Sequence, residues 1–490
     1  MQVRTEYGIV EGLTTDEGLG HFRGVPYAAP PFGERRFRPP APPEPWDGIR
    51  DATKPGPAAP QPASDDAFDA AYFHHAETGE DCLNLEVWTP DTTGSRPVMV
   101  WIHGGGYLGG SSAGLGHGGR TFARDGVVHV SINYRLGVDG FIHLGEDSDN
   151  LGLRDMVFAL EWVQRNIAAF GGDPSQVTIF GQSGGGVSIM MLLAMPSARG
   201  LFHRAIAMSG SSYAAVPVSE GDTWARKLAK RLGVEPTIAG FRTVPVAKAV
   251  AEVMPFALSF INPFRSGSQG FMISPFRALS GTPSLPESPI MATEWDKSVP
   301  LLTGTARHET IGFLQMLGRD KLNPVIATGF KRFLGVNKAV MQAYRSGRGL
   351  SSHVEIVEAA WSDWAFRIPT IRLLEARARA GAEPSWLYEL RWESAQFPTG
   401  LGAAHAIEVP FMRDDLETAQ RVSPPGSKYY EDAPDHLAKE MHAAFLAFAT
   451  TGDPGWEPYE LERRTTKIFD TTSSVVSDAA APERQAWSHR

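Results

Sequence analysis

Gly181-Gln182-Ser183-Gly184-Gly185 stands directly behind the apolar run Val177-Thr178-Ile179-Phe180 and opens onto the helix-like stretch Val187–Leu193. The spacing predicts a strand, a sharp turn and a helix, with a serine at the apex. Glycines either side suit a turn too tight for Cβ atoms, and the serine itself is expected to be strained. The chain holds 51 glycines, so a five-residue pattern needs a second signal. His103-Gly104-Gly105-Gly106 supplies it, following the strand-like run Val98-Met99-Val100-Trp101-Ile102. Backbone N–H groups in such a turn can point at a carbonyl oxygen and stabilise the oxyanion it becomes. Gly105 and Gly106 are the expected donors there, and Gly184, just past the serine, is the third. The chemistry this combination suits is acyl transfer to Ser183.

Serine needs a base to take its proton, and the base needs a carboxylate to orient it. In chains with this elbow the order is serine, acid, histidine. Of 14 histidines, His405 falls in the small-residue segment Gly402-Ala403-Ala404-His405-Ala406-Ile407-Glu408, after the strand-like Leu387–Arg391. A loop at a strand's carboxyl end is where a base reaches the active edge of a sheet. His436 and His442 sit in an expected late helix, Asp435 to Thr450, and His489 lies at the terminus. His103 heads the glycine cluster and reads as a brace for that loop. For the acid, Val299 to Glu309 reads as a strand followed by a short loop ending in Glu309, with Asp296 before the strand and Asp320 beyond an apolar stretch as competing carboxylates.

These loops need a sheet to hold them. Strands are expected at Val98–Ile102, Val127–Asn133, Val177–Phe180, Arg204–Met208, Leu301–Gly304 and Leu387–Arg391. Between them the clearest helix is Leu153 to Ala169, where Leu153, Met156, Val157, Leu160, Val163 and Ile167 share one face. Gly171-Gly172 stops it, and Asp173-Pro174 begins a turn. Alternating strand and helix predict an α/β protein with a mostly parallel sheet covered on both faces. The first ninety residues, punctuated by prolines, read as an irregular surface layer with edge strands. Residues 1–490 show neither repeat nor polar linker and read as one domain. Within it, 255–289 carries Phe256, Phe260, Phe264, Phe271 and Phe276 among serines, glycines and prolines, either as a local core under a long loop or as a wall of a substrate pocket.

A formal net charge of −9 argues against nucleic acid as the main partner, and no apolar run is long enough to span a membrane. The single cysteine, Cys82, excludes an intrachain disulfide and fits a cytoplasmic location; its alternating surroundings, Glu80 to Trp88, read as a strand burying a structural thiol.

The chain resembles the type-B carboxylesterases, the family of cholinesterases and bacterial para-nitrobenzyl esterases, almost end to end. Phe22-Arg23-Gly24-Val25-Pro26-Tyr27-Ala28, Arg36-Phe37-Arg38-Pro39, Glu80-Asp81-Cys82-Leu83, Asn133-Tyr134-Arg135-Leu136-Gly137, Asn150-Leu151-Gly152-Leu153-Arg154-Asp155, Phe170-Gly171-Gly172-Asp173-Pro174 and Met208-Ser209-Gly210-Ser211 carry the likeness, together with the elbow. The resemblance implies an α/β-hydrolase fold with Ser183 as nucleophile, Glu309 as acid, His405 as base and Gly105, Gly106 and Gly184 as the oxyanion hole. It also implies structural ion pairs of Arg36 with Glu80 and of Arg135 with Asp155.

Three departures stand out. Gln182 and Gly184 flank the serine where the family usually has Glu and Ala, the acid segment reads His308-Glu309-Thr310 in place of Asp-Glu-Gly, and Cys82 lacks the partner found in secreted animal members. The expected activity is hydrolysis of a small-molecule carboxylic ester by water through an acyl-serine, without metal or cofactor. Carbamate or amide cleavage would use the same machinery. A non-catalytic binding protein on this fold is the remaining alternative, which retention of all three triad candidates opposes.

Overall fold

The computed structural model describes residues 1–63, 77–114, 116, 118–211, 213–260, 274–292, 295–316, 324–394, 402–423 and 430–488. Its architecture follows from runs such as Val98–Ile102, apolar at every position. Val98, Val100 and Ile102 enter one buried cluster and Met99 and Trp101 another. Ala205 and Ala207 divide from Ile206 and Met208 in the same way. A strand with period-two side chains and no polar face must be covered on both sides.

Among the described residues eleven strands form the central sheet. In chain order they are β1 (Leu13–Thr14), β2 (Gly20–Pro26), β3 (Asn84–Thr89), β4 (Arg96–Ile102), β5 (Val128–Ile132) and β6 (Gly172–Gln182). Then come β7 (Arg204–Met208), β8 (Leu301–Ala306), β9 (Ser385–Leu390), β10 (Thr465–Phe469) and β11 (Ser474–Ser477). The spatial order is β11-β10-β9-β8-β7-β6-β4-β5-β3-β2-β1. Every neighbour pair from β10 to β5 is parallel. The pairs outside that run are antiparallel. From β4 the chain goes to β5 on one side and returns to β6 on the other. Ligands of such sheets bind beyond the carboxyl ends at this switch in direction.

All six predicted strands are present, within a few residues of their expected ends. The main helix, α1 (Leu151–Asn166), buries Leu153, Met156, Val157, Leu160 and Val163. A 3-10 turn, Ile167–Phe170, extends it to Gly171, whose φ of 81° ends it. The turn expected at Asp173-Pro174 lies inside β6 as a bulge. Its register against β4 jumps from Arg96↔Gly172 to Val98↔Val177. There Asp173 Oδ1 accepts from the N–H and hydroxyl of Ser175. Helix α2 (Gly184–Leu192) follows β6.

Two expectations need correction. Pro255, Phe256 and Phe260 do not lie in a loop: they belong to a helix, Val246–Phe260, that runs through the proline. Phe256 and Phe260 pack against Trp224, and Phe276 against Phe256, all three phenylalanines being buried. Phe264 and Phe271 lie outside the described residues. The second correction concerns Arg36, which pairs with Asp139 at 2.6 Å, whereas Glu80 is exposed. Asp139 sits in the short buried helix Gly137–Phe141, and a guanidinium this buried needs a carboxylate equally deep. Arg135 does pair with Asp155, through two bonds of 2.8 and 2.6 Å. Cys82 is fully buried, which pushes its thiol well above the ordinary range.

Candidate active site

Strand β6 delivers Ser183 at the switch point. The residue has φ 55° and ψ −120°, outside the ordinary regions for a side chain with a Cβ. Neighbouring bonds hold it there: Ser183 N–H donates to Met208 O at 3.0 Å, and Val187 N–H to Ser183 O at 2.8 Å. A Cβ on Gly185 would stand 2.0 Å from Ile102 O, so α2 can start this close to β4 only with glycine there. Ser183 remains partly exposed between buried Gln182 and Gly184.

Strand β4 ends beside it in His103-Gly104-Gly105-Gly106. Gly105 has φ 97°, and a Cβ there would lie 2.0 Å from Gly109 O, so no other residue fits without moving backbone. The two loops converge: a Cβ on Gly184 would stand 3.1 Å from Gly106 N, and one on Gly104 would stand 3.2 Å from Ser183 Cβ. The N–H groups of Gly105, Gly106 and Gly184 thus come from backbones that surround the serine. His103 is buried under the turn, its ring stacked 4.3 Å from Tyr134, whose hydroxyl donates to His103 O.

Glu309 and His405, far apart in sequence, are brought together by two loops that clamp each other. Glu309 follows β8 and is 1% exposed. Its Oε1 accepts from Ala306 N–H at 2.8 Å, and its Oε2 faces His405 Nδ1 at 2.5 Å. His308 N–H donates to Ala403 O at 2.9 Å, and His308 Nδ1 accepts from Ala403 N–H at 3.2 Å. Burial first, and the positive charges of Arg307 and Arg367 next, push His308 down to about 4. It is therefore neutral near pH 7, as an acceptor nitrogen must be. Thr310 ties the other side down, its N–H and hydroxyl meeting Ser362 Oγ at 3.1 and 2.9 Å. The residues that depart from the family pattern beside Glu309 are thus the ones that fasten its loop.

Burial favours the neutral form of the His405 ring, but the Glu309 carboxylate at Nδ1 outweighs it and leaves the pKa above the ordinary imidazole value. Phe313 and Phe366 flank the ring at centroid distances of 5.4 and 5.2 Å. Phe366 lies in a π-helical turn, Asp363–Arg367, an irregularity common at functional sites. Among the described residues Ser183 Oγ makes no hydrogen bond, and His405 Nε2 meets the side-chain nitrogen of Gln182 at 3.3 Å. The ring thus meets the elbow through Gln182, the residue before Ser183, and a serine–histidine bond that forms only with substrate is common in unliganded sites.

Sequence reasoning did not single out Glu408 and Ser209. Glu408 starts a short helix, Glu408–Met412, is fully buried and accepts from Ser209 Oγ at 2.9 Å. Burial, and then the charge of Glu309, push its carboxyl up to about 7. The available signal was position, since Ser209 stands just past the end of β7 and Glu408 three residues after His405.

The other candidates lie elsewhere. Asp296 precedes β8, at the opposite edge of the sheet, and caps a turn through Ser298. Asp320 and His489 lie outside the described residues. His436 is exposed, and His442 is buried between Asp125 and Met412 O. Among the described residues no three His, Cys, Asp or Glu side chains gather as a metal site requires, and no helix is long and apolar enough to cross a membrane.

The chain as a whole has known counterparts. The profile of the carboxylesterase family matches residues 1–481. The para-nitrobenzyl esterase of Bacillus subtilis is 35% identical over 99% of this chain and 97% of its own. The phenmedipham hydrolase of Pseudarthrobacter oxydans is 34% identical over 96% of each. The crystal structure of a Geobacillus stearothermophilus carboxylesterase superposes with a TM-score of 0.84 at 31% identity, covering 99% of both chains. With the sheet, the elbow and a match spanning nearly every residue, the chain belongs to the carboxylesterase family, carboxylic ester hydrolases of the α/β-hydrolase fold.

Proposed function

We propose that the protein hydrolyses carboxylic esters through an acyl-Ser183 intermediate, with His405 as base and Glu309 as the acid that orients it. His405 Nε2 takes the Ser183 proton as Oγ bonds to the ester carbonyl carbon. The carbonyl oxygen gains negative charge and is met by the N–H groups of Gly105, Gly106 and Gly184. As the tetrahedral species collapses, the C–O bond to the alcohol breaks and His405 returns the proton to that leaving oxygen. Water repeats the sequence on the acyl-serine: His405 takes its proton, hydroxide adds to the carbonyl, and the Ser183–acyl bond breaks with the proton returned to Oγ. Glu309 keeps the Nδ1 proton in place throughout.

The observation that carries this reading is the 2.5 Å contact of His405 Nδ1 with Glu309 Oε2, beside a serine held at φ 55°. A para-nitrophenyl phosphonate tests it. We expect stoichiometric labelling of Ser183 by mass spectrometry, with loss of esterase activity; labelling of Ser209 or Ser211 would overturn it.

The likeness to a carbamate hydrolase, the phenmedipham hydrolase, supports aryl carbamates as a second substrate class. Attack at a carbamate carbonyl uses the same three residues and yields a carbamoyl-serine as the C–O bond to the aryl alcohol breaks and His405 returns the serine proton to that oxygen. A panel of aryl esters of rising acyl length with one aryl carbamate and one anilide separates the two. The lone cysteine, buried and without a disulfide partner, supports a cytoplasmic location.

A further inference from the structure

Gln182 is the last residue of β6 and is 3% exposed, and among the described residues the hydrogen-bond partner of its side-chain amide is the Nε2 of His405. The direction of that bond follows from the opposite side of the ring. Glu309 Oε1 is taken by Ala306 N–H, so Oε2 accepts from His405 Nδ1. The neutral ring therefore carries its proton on Nδ1 and a lone pair on Nε2. An amide N–H can donate to that lone pair. Once Nε2 is protonated, two N–H groups face each other and the bond is lost.

We propose that Gln182 is a positioning residue for the base: in the resting enzyme its amide holds the Nε2 lone pair of His405 and favours the unprotonated ring. Substrate binding then transfers that lone pair from the Gln182 amide to the Ser183 hydroxyl. The geometry has an electrostatic context. Glu309 faces the ring from the loop after β8 and Glu408 from the helix that follows it, and both carboxylates favour protonation. Phe313 and Phe366 bring no titratable group. Tyr388, beneath the carboxylates on β9, is uncharged, because burial raises its hydroxyl well above the ordinary range. Among these groups the neutral amide of Gln182 is the one that opposes ring protonation. A glutamate here, as the family pattern usually has, would add a carboxylate on the side of the ring that must stay free of a proton.

The proposal rests on His405 being the base, and the experiment separates the two. The kcat/KM for para-nitrophenyl acetate is measured from pH 5 to 9 for the parent, Gln182→Met and Gln182→Glu, with unfolding temperatures alongside. Gln182→Met removes the donor at similar volume, and its acid limb should move up by about 0.5–1 pH unit, the worth of one hydrogen bond. Gln182→Glu should move it up by about 1–3 units, as an opposite charge at this range does. The downfield proton resonance of Nδ1–H should titrate with the same shifts, which a merely structural role would not produce. A Gln182→Met limb coincident with the parent's, or below it, overturns the proposal, and this variant decides the matter even if Gln182→Glu does not fold. The His405→Gln variant tests the underlying reading: unchanged phosphonylation of Ser183 would mean that His405 is not the base. Slowed phosphonylation together with an unmoved Gln182→Met limb would overturn the role of Gln182 alone.

Discussion

The Ser183 elbow and the Glu309–His405 edge lie at the same end of one sheet but are built in opposite ways. At the elbow, strand, serine and helix are consecutive, and the bond from Val187 N–H to Ser183 O spans four residues. At the edge, Glu309 and His405 are separated by 96 positions. They meet because His308 clamps the Ala403 segment and Thr310 is tied to Ser362. A local device tolerates no substitution at its centre. A clamped pair distributes its precision over supports whose individual losses are graded.

Replacing Ser183 with Ala breaks the elbow outright. We expect kcat to fall by about 10⁴–10⁶ with an unchanged unfolding temperature, since the backbone and its bonds remain. Glu309→Gln attacks the edge and should lower kcat by about 10⁴, because an amide can present N–H to Nδ1 and favour the wrong tautomer. Asp296→Asn, made at the far end of β8, should leave turnover at the parent level, so equal losses in the two variants would remove Glu309 from its role. On the β4 side of the elbow, away from Glu309, stands Gly106, open to space but at φ 60°. Gly106→Val should displace the donors and lower kcat by about 10²–10³, like the loss of one oxyanion-hole donor.

The smallest effect concerns Glu408 and is read by pH. Its carboxyl titrates at about 7 in the folded chain against 4.5 ordinarily. Between those values the folded state holds a proton that the unfolded state has released, so stability is lost as pH rises through 7. Glu408→Gln keeps an acceptor for Ser209 but cannot ionise. It should therefore raise the unfolding temperature at pH 8 and not at pH 4. It should also shift the acid limb of kcat/KM downward, because a negative charge near His405 is gone. That limb is expected above the ordinary imidazole range, because burial is outweighed by the Glu309 carboxylate, which raises the pKa of His405. An upward shift would show that Glu408 does not act on the ring through its charge.

By itself the amino-acid sequence determined the strands of the parallel region, the amphipathic helix beginning near Leu153 and the two glycine turns. Each is written in contiguous residues: short continuous apolar runs, three-and-four spacing, and glycines where Cβ atoms would meet backbone. The family resemblance extended this to Glu309 and His405. The Arg135–Asp155 pair was also implied there, but tertiary structure alone decided where Arg36 pairs and which groups surround His405. Arg36 found Asp139 and not Glu80 because burial must be matched in depth, and depth is set by the folded layers. The helix through Pro255 formed although proline removes a donor, because Phe256 and Phe260 gain a buried face against Trp224. Glu408 and Ser209 met although 199 positions apart in the chain, and the amide of Gln182 reached the Nε2 of His405 over 223 positions. Such contacts depend on the relative placement of strands far apart in the chain, which no local pattern encodes.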